Sequence, residues 1–124
     1  MSRIVLVEDN DKNMKLARDL LVYKGHTVYE AKTGEAAVET TTRELPDLVL
    51  MDIQLPGIDG IEALRQIRVD GKAARIPIVA LTASVMANDR ERFDAAGFDG
   101  FIAKPIDVKS FANDVASLIA KGRP

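Results

Sequence analysis

Five short, apolar, strand-forming runs recur along the chain, at residues 4–7, 27–31, 48–51, 78–81 and 100–103. Several are continuous rather than alternating, as in strands buried on both faces. Between them lie segments with helical spacing, so the order is strand then helix, five times over. Parallel neighbours need a long crossover, usually a helix. The alternation therefore predicts a doubly wound α/β fold: a five-stranded parallel sheet with helices on both faces. With 124 residues, 47% of them hydrophobic, the chain suits one core, and a single domain is expected over 1–124.

The punctuation agrees. Asp59 is followed three residues later by Glu62, and Asn88 by Glu91, and both pairs resemble capping boxes at helix starts. Gly25 and Gly97 fall where helices should stop, and Pro46 and Pro77 just before strands, where a missing N–H does least harm. In the first helix Met14, Ala17 and Leu21 form one stripe, flanked by Leu20, that should face the sheet. Leu16 lies at its edge and Asn13 outside it. The final residues, 121–124, are expected to fray.

Charge and composition exclude several classes. Seventeen Lys and Arg against 19 Asp and Glu leave a net charge of −2, which offers no basic footprint for nucleic acid. The cluster Arg65, Arg68, Lys72 and Arg75 reads as a solvated helix face. The absence of cysteine removes disulfides, thiolate metal sites and a Cys nucleophile. No apolar run approaches the roughly 20 residues of a membrane span, and the N-terminal run is too short for a signal peptide. A soluble, cytoplasmic protein is expected. His26, after Gly25, reads as a local structural residue, Tyr23 and Tyr29 as packing or shielding the sheet, and Met86 and Phe93 as core or helix-face residues.

In an open parallel sheet, ligands bind at the carboxyl ends of the strands, near the point where the strand order reverses. There the first strand delivers Glu8 and Asp9, the third Asp52, the fourth Thr82 and the fifth Lys104, followed by Pro105. Three carboxylates on adjacent strands would raise one another's pKa, and a divalent cation removes that conflict. All-oxygen ligation selects a hard ion, Mg²⁺ or alternatively Mn²⁺. Asp52 is the candidate nucleophile, since a carboxylate can attack phosphorus to form an acyl phosphate. Such a transfer needs positioning and charge neutralisation. Lys104 offers a flexible cation and Thr82 a hydroxyl donor.

Together these residues resemble the CheY-like receiver domain of response regulators. Ile4-Val5-Leu6-Val7-Glu8-Asp9-Asn10 is similar to the family's first strand and acidic pair. Leu50-Met51-Asp52-Ile53-Gln54-Leu55-Pro56-Gly57-Ile58-Asp59-Gly60 is similar to its phosphoacceptor strand and loop, and Ala80-Leu81-Thr82-Ala83 and Ala103-Lys104-Pro105 complete the set. The resemblance covers essentially the whole chain and implies the flavodoxin-like strand order 2-1-3-4-5 of CheY.

The resemblance further implies that Asp52 accepts a phosphoryl group from a phosphohistidine on a histidine kinase or phosphotransfer protein. It makes Asp9 a direct Mg²⁺ ligand, Glu8 mainly a water-mediated one and the Gln54 backbone carbonyl a third. Thr82 and Phe101 become the switch pair, Lys104 binds phosphoryl oxygens, and the Lys104-Pro105 bond is cis. Gln54 and Ser84 would tune dephosphorylation. Glu8 stands where the commonest family form has Asp. Asn10, Asn13 and Met14-Lys15-Leu16 resemble single-domain regulators of the DivK type and receivers of hybrid kinases. Asn13 and Leu16, on a helix that begins beside Asp9, are the candidate contacts for the phosphoryl donor protein. A signalling domain rather than an enzyme is implied, as a monomer or weak dimer without an output domain, acting through protein contacts.

Other classes remain to be weighed. The chain could be a receiver excised from a hybrid kinase or larger regulator. A phosphatase of the haloacid dehalogenase kind needs a carboxylate two residues after its Asp nucleophile, and Gln54 stands there. A nucleotide-binding or flavodoxin-type domain needs a phosphate loop after the first strand, where Glu8-Asp9-Asn10 would repel phosphate. A docking module without phosphorylation has no use for Asp52, Thr82 and Lys104 together.

Overall fold

The structure, a computed structural model, describes residues 2–83 and 87–122, with the backbone alone at Ala87 and Asn88. Strands and helices alternate throughout: β1 (Arg3–Val7), α1 (Asp11–Tyr23), β2 (Thr27–Ala31), α2 (Gly34–Glu44), β3 (Leu48–Asp52), α3 (Gly60–Arg68), β4 (Ile78–Thr82), α4 (Ala87–Ala96), β5 (Gly100–Ala103) and α5 (Phe111–Lys121). The strands form one parallel sheet in the order β2-β1-β3-β4-β5, the expected doubly wound arrangement.

The two-residue period of a strand sends alternate side chains to opposite faces, and this sorts the core. Val5, Val7, Val49, Met51, Ile78 and Ala80 pack with Ala37 of α2, Ala63, Leu64 and Ile67 of α3, and Phe93 of α4. Ile4, Leu6, Leu48, Leu50, Val79 and Leu81 pack on the other face with Met14, Ala17 and Leu21 of α1 and with Phe111 and Val115 of α5. Burial of each large aliphatic side chain contributes about 1.5–3 kcal/mol, so the central strands carry much of the folding energy. The reading of strands buried on both faces holds for β3 and β4 and for β1 beyond Arg3. The edge strands β2 and β5 are only partly covered.

Helix starts follow local hydrogen bonding. Asn10, Thr33 and Asp59 accept at their side chains from the backbone N–H groups of Asn13, Ala36 and Glu62 at 3.0, 3.0 and 2.9 Å, which satisfies N–H groups that a helix leaves unpaired. Glu62 turns to Arg65 and Gln66 instead of closing a reciprocal box. α4 starts at Ala87, so Asn88 is inside the helix and not its cap. Gly25 and Gly97 adopt φ of 90° and 107° after α1 and α4, a conformation that favours glycine.

Two further expectations are corrected. Arg68 is not on a solvated face: its side chain is 14% exposed and pairs with Asp99 at 2.8 Å. Tyr23 shields nothing: it is 87% exposed at the end of α1, outside the buried stripe of Met14, Ala17 and Leu21. Tyr29 does pack against the core, Phe93 is buried, and Met86 lies outside the described residues. Among the described residues no helix is long and apolar enough to cross a membrane.

Candidate functional site

Because the chain runs from β1 to β2 on one side and returns to β3 on the other, the crossovers diverge above β1 and β3. The carboxyl ends of the strands there open on a cleft of about 580 Å³ lined by Glu8, Asp9, Asp52, Gln54, Thr82 and Lys104, among others. Its floor is tightly built. A Cβ on Gly60 would come within 2.6 Å of the Asp52 carbonyl oxygen, so only glycine lets α3 begin directly against the end of β3. The Gly60 N–H donates to the Ile53 carbonyl at 2.9 Å, and the Gln54 N–H donates to Asp52 Oδ1 at 3.2 Å. Asp52 is thereby held at the strand end, 7% exposed.

Lys104 reaches into the cleft after β5. Its Nζ lies 2.9 Å from Asp52 Oδ2 and 2.6 Å from Glu8 Oε1. The contact to Glu8 is a short ion pair. The backbone around Lys104 is pinned by its N–H donating to the Thr82 carbonyl at 2.8 Å, and the Lys104–Pro105 peptide bond is cis. Burial and the nearby Asp52 push the Glu8 carboxyl pKa up, and Lys104 offsets this only in part. For Lys104 burial acts to lower the pKa, but Glu8 and Asp52 together outweigh it and raise it, so the ammonium form is favoured.

Carboxylate oxygens of Glu8, Asp9 and Asp52 lie within 4.8 Å of one another. Glu8 is buried, whereas Asp9 opens to solvent. Two buried carboxylates sharing one ammonium, beside a third that is exposed, retain a surplus of negative charge. An all-oxygen donor set of this kind fits a hard divalent cation such as Mg²⁺.

Thr82 is 6% exposed at the end of β4. Phe101 pairs in register with Ala80, two residues before Thr82, so Thr82 and Phe101 sit on the same face of adjacent strands. Phe101 is half-buried against the core, and the Arg90 guanidinium stacks 4.7 Å from its ring centroid. Asn13 lines the cleft. Leu16, 37% exposed, stands one helical turn away. Ser84 lies outside the described residues. Sequence reasoning missed Arg92, which also lines the cleft. Its spacing on α4 does not distinguish it from Arg90, and only the seating of the helix brings it to the cleft.

The family model of the response regulator receiver domain matches residues 4–116. The polar-differentiation response regulators DivK of Brucella anthropi and Brucella ovis are each 38% identical over 116 residues, 94% of both chains. Among solved structures, the receiver domain of the sensor histidine kinase PA1611 from Pseudomonas aeruginosa, with a magnesium ion coordinated in its active site cleft, superposes with a TM-score of 0.87. It is 35% identical, covering 96% of this chain and 98% of that one. The chemotaxis response regulator CheY4 of Vibrio cholerae superposes at 0.90 over 95% and 98% of the two chains. At 20% identity it attests the fold alone.

Proposed function

The chain belongs to the response regulator receiver domain family, and on that premise we propose that Asp52 is its phosphoacceptor, with Thr82 and Lys104 serving the transferred phosphoryl group. It is a receiver of two-component signalling. The observation that carries the site assignment is the Lys104 ammonium shared between Asp52 and Glu8, with Asp9 beside them, in a cleft at the strand ends.

In this reading an Asp52 carboxylate oxygen bonds to the phosphorus of a phosphohistidine on a histidine kinase or phosphotransfer protein. The P–N bond breaks, its electron pair stays on the departing ring nitrogen, and a proton from solvent restores the neutral imidazole. Asp9, Glu8, Asp52 and the Gln54 carbonyl would hold Mg²⁺, with Mn²⁺ as the alternative hard ion. When bound, the ion supplies charge neutralisation at the phosphoryl oxygens. Lys104 follows the new phosphoryl oxygens, and Thr82 donates its hydroxyl to them. Since Phe101 shares the face of Thr82, movement of the hydroxyl shifts the population of ring positions and with it the surface of β5 and α4.

Gln54 on the cleft lip, and Ser84, would tune hydrolysis. Asn13 and Leu16 would meet the donor protein, and residues 1–124 would act as one receiver, a monomer or weak dimer, that signals through protein contacts. The chain would be a signalling domain rather than a phosphatase, because the position two residues after Asp52 carries an amide that cannot serve as acid and base.

Mass spectrometry after incubation with acetyl phosphate and Mg²⁺ tests the assignment. One phosphoryl adduct is expected on the parent and none on Asp52→Asn. Labelling of Asp52→Asn at another residue, at a similar rate, would overturn it.

A further inference from the structure

We propose that Arg92 recruits small dianionic acyl phosphates to the Asp52 cleft, a role that rests on Asp52 being the phosphoacceptor. Arg92 lines the cleft that holds Asp52, Thr82 and Lys104. It also lines an adjoining groove beyond Gln54, bounded by Leu55, Asp59 and Ile61. Arg92 therefore borders both the cleft and the groove.

Its guanidinium lies 5.2 Å from the ring centroid of Phe93, and Phe93 is 2% exposed. The buried ring gives the guanidinium a fixed apolar surface to rest on. The contact to Asp89, at 4.0 Å, is at the outer limit of an ion pair. The Arg92 side chain is 59% exposed, so its charge is open to solvent beside the cleft. Lys104 differs, being engaged by two carboxylates inside the cleft.

The charge balance makes that difference matter. With a divalent cation present, Glu8, Asp9, Asp52 and Lys104 sum with it to neutrality. An incoming dianion then meets no net attraction from the inner residues. Arg92 adds one positive charge at the entrance, in a planar fork that matches phosphate oxygens. In the transfer itself, an Asp52 carboxylate oxygen bonds to the donor phosphorus. The bond from phosphorus to the acyl oxygen breaks, and the carboxylate product leaves with the electron pair. No proton moves. A protein donor covers the cleft and draws its affinity from a wide interface, so the effect of Arg92 falls mainly on small donors.

The experiment compares labelling by acetyl phosphate, a dianion, with labelling by phosphoramidate, whose protonated nitrogen leaves it one net negative charge. Rates are read against donor concentration in the parent, Arg92→Gln, Arg92→Lys and Arg65→Gln. Arg65 is an exposed arginine of α3 outside the cleft, and its variant controls for net charge. In Arg92→Gln the ratio of acetyl phosphate to phosphoramidate labelling should fall roughly two- to fivefold, the scale of a partly exposed charge contact. The fall should appear in the half-saturating acetyl phosphate concentration and not in the plateau rate. Arg92→Lys should recover most of the ratio, and added salt should shrink the parent's advantage. Binding of unreactive acetylphosphonate, followed by NMR shifts, should weaken by the same factor. An Arg92→Gln ratio equal to the parent's, or an equal fall in Arg65→Gln, overturns the inference while leaving Asp52 as acceptor. A parent labelled by neither donor overturns both.

Discussion

Lys104 and Asp52, separated by 52 positions in the chain, are joined by a 2.9 Å hydrogen bond from Nζ to Oδ2. The same ammonium stands 2.6 Å from Glu8 Oε1, so one cation holds two buried carboxylates. Lys104→Met should cost on the order of 3 kcal/mol of stability, because it leaves both carboxylates without their counter-charge. Mg²⁺ held by the folded site would offset part of that loss. Thermal unfolding should therefore show a larger drop in EDTA than in saturating Mg²⁺, and equal drops would count against a shared carboxylate site.

Asp9 and Glu8 should separate in a metal titration. Glu8 is buried and already paired with Lys104, whereas Asp9 is open to solvent. Isothermal titration of Mg²⁺ should show about tenfold or greater weakening in Asp9→Asn and a smaller change in Glu8→Gln, as direct ligands matter more than water-mediated ones. Equal affinity of Asp9→Asn and the parent would remove Asp9 from the ligand set.

Arg68 ties the opposite end of the sheet together. It donates to the carbonyls of Ala74 and Ile76 and to Asp99, which in turn accepts from the Ile78 N–H. Arg68→Ala would leave Asp99 buried beside unpaired carbonyls, and urea unfolding should report a loss of about 3–5 kcal/mol. Lysine should rescue little, since an ammonium cannot span the same fork of acceptors. A loss below about 1 kcal/mol would mean that the pair behaves like a surface contact.

His26 should add a pH dependence. Its Nδ1 accepts from the Ser2 N–H at 3.1 Å, which requires that nitrogen to be unprotonated, and burial pushes its pKa below the ordinary value of 6.5. The unfolded chain therefore binds the proton first. The stability from His26 is complete above about pH 6.5 and is lost as pH falls through the folded-state value. The parent should lose stability more steeply than His26→Gln below about pH 6.5, and parallel slopes would exclude this contribution.

Leu16 tests the docking surface without touching the cleft. It is 37% exposed on α1, beside the stripe of Met14, Ala17 and Leu21 that faces the core. Leu16→Glu should slow phosphoryl transfer from the partner kinase by about tenfold, the scale of a desolvated apolar contact, with acetyl phosphate labelling close to the parent's. Parental transfer rates would place docking elsewhere.

Much of this protein was legible before its structure. Residues 4–7, 48–51 and 78–81 announce buried strands because continuous apolar runs cannot be solvated, and the intervening helical spacing forces parallel crossovers. Glu8, Asp9, Asp52, Thr82 and Lys104 each end or follow a strand, and in a parallel sheet those ends converge by topology. Arg68, Tyr23 and Arg92 were not legible. Arg68 looked solvated because its partner, Asp99, is 31 positions away, and Tyr23 looked like a packing residue because helical spacing alone does not say how the helix is rotated on the sheet.

By itself, then, the sequence determined which residues stand at the strand ends and which helix faces turn inward, since a period of two or 3.6 is a property of neighbouring residues. The tertiary structure alone decided that Lys104 lies between Glu8 and Asp52, that Arg68 is buried with Asp99, and that Arg92 and not Arg90 faces the cleft. Those contacts depend on how far each helix is rotated and shifted on the sheet, and that seating is set by packing between residues distant in the chain.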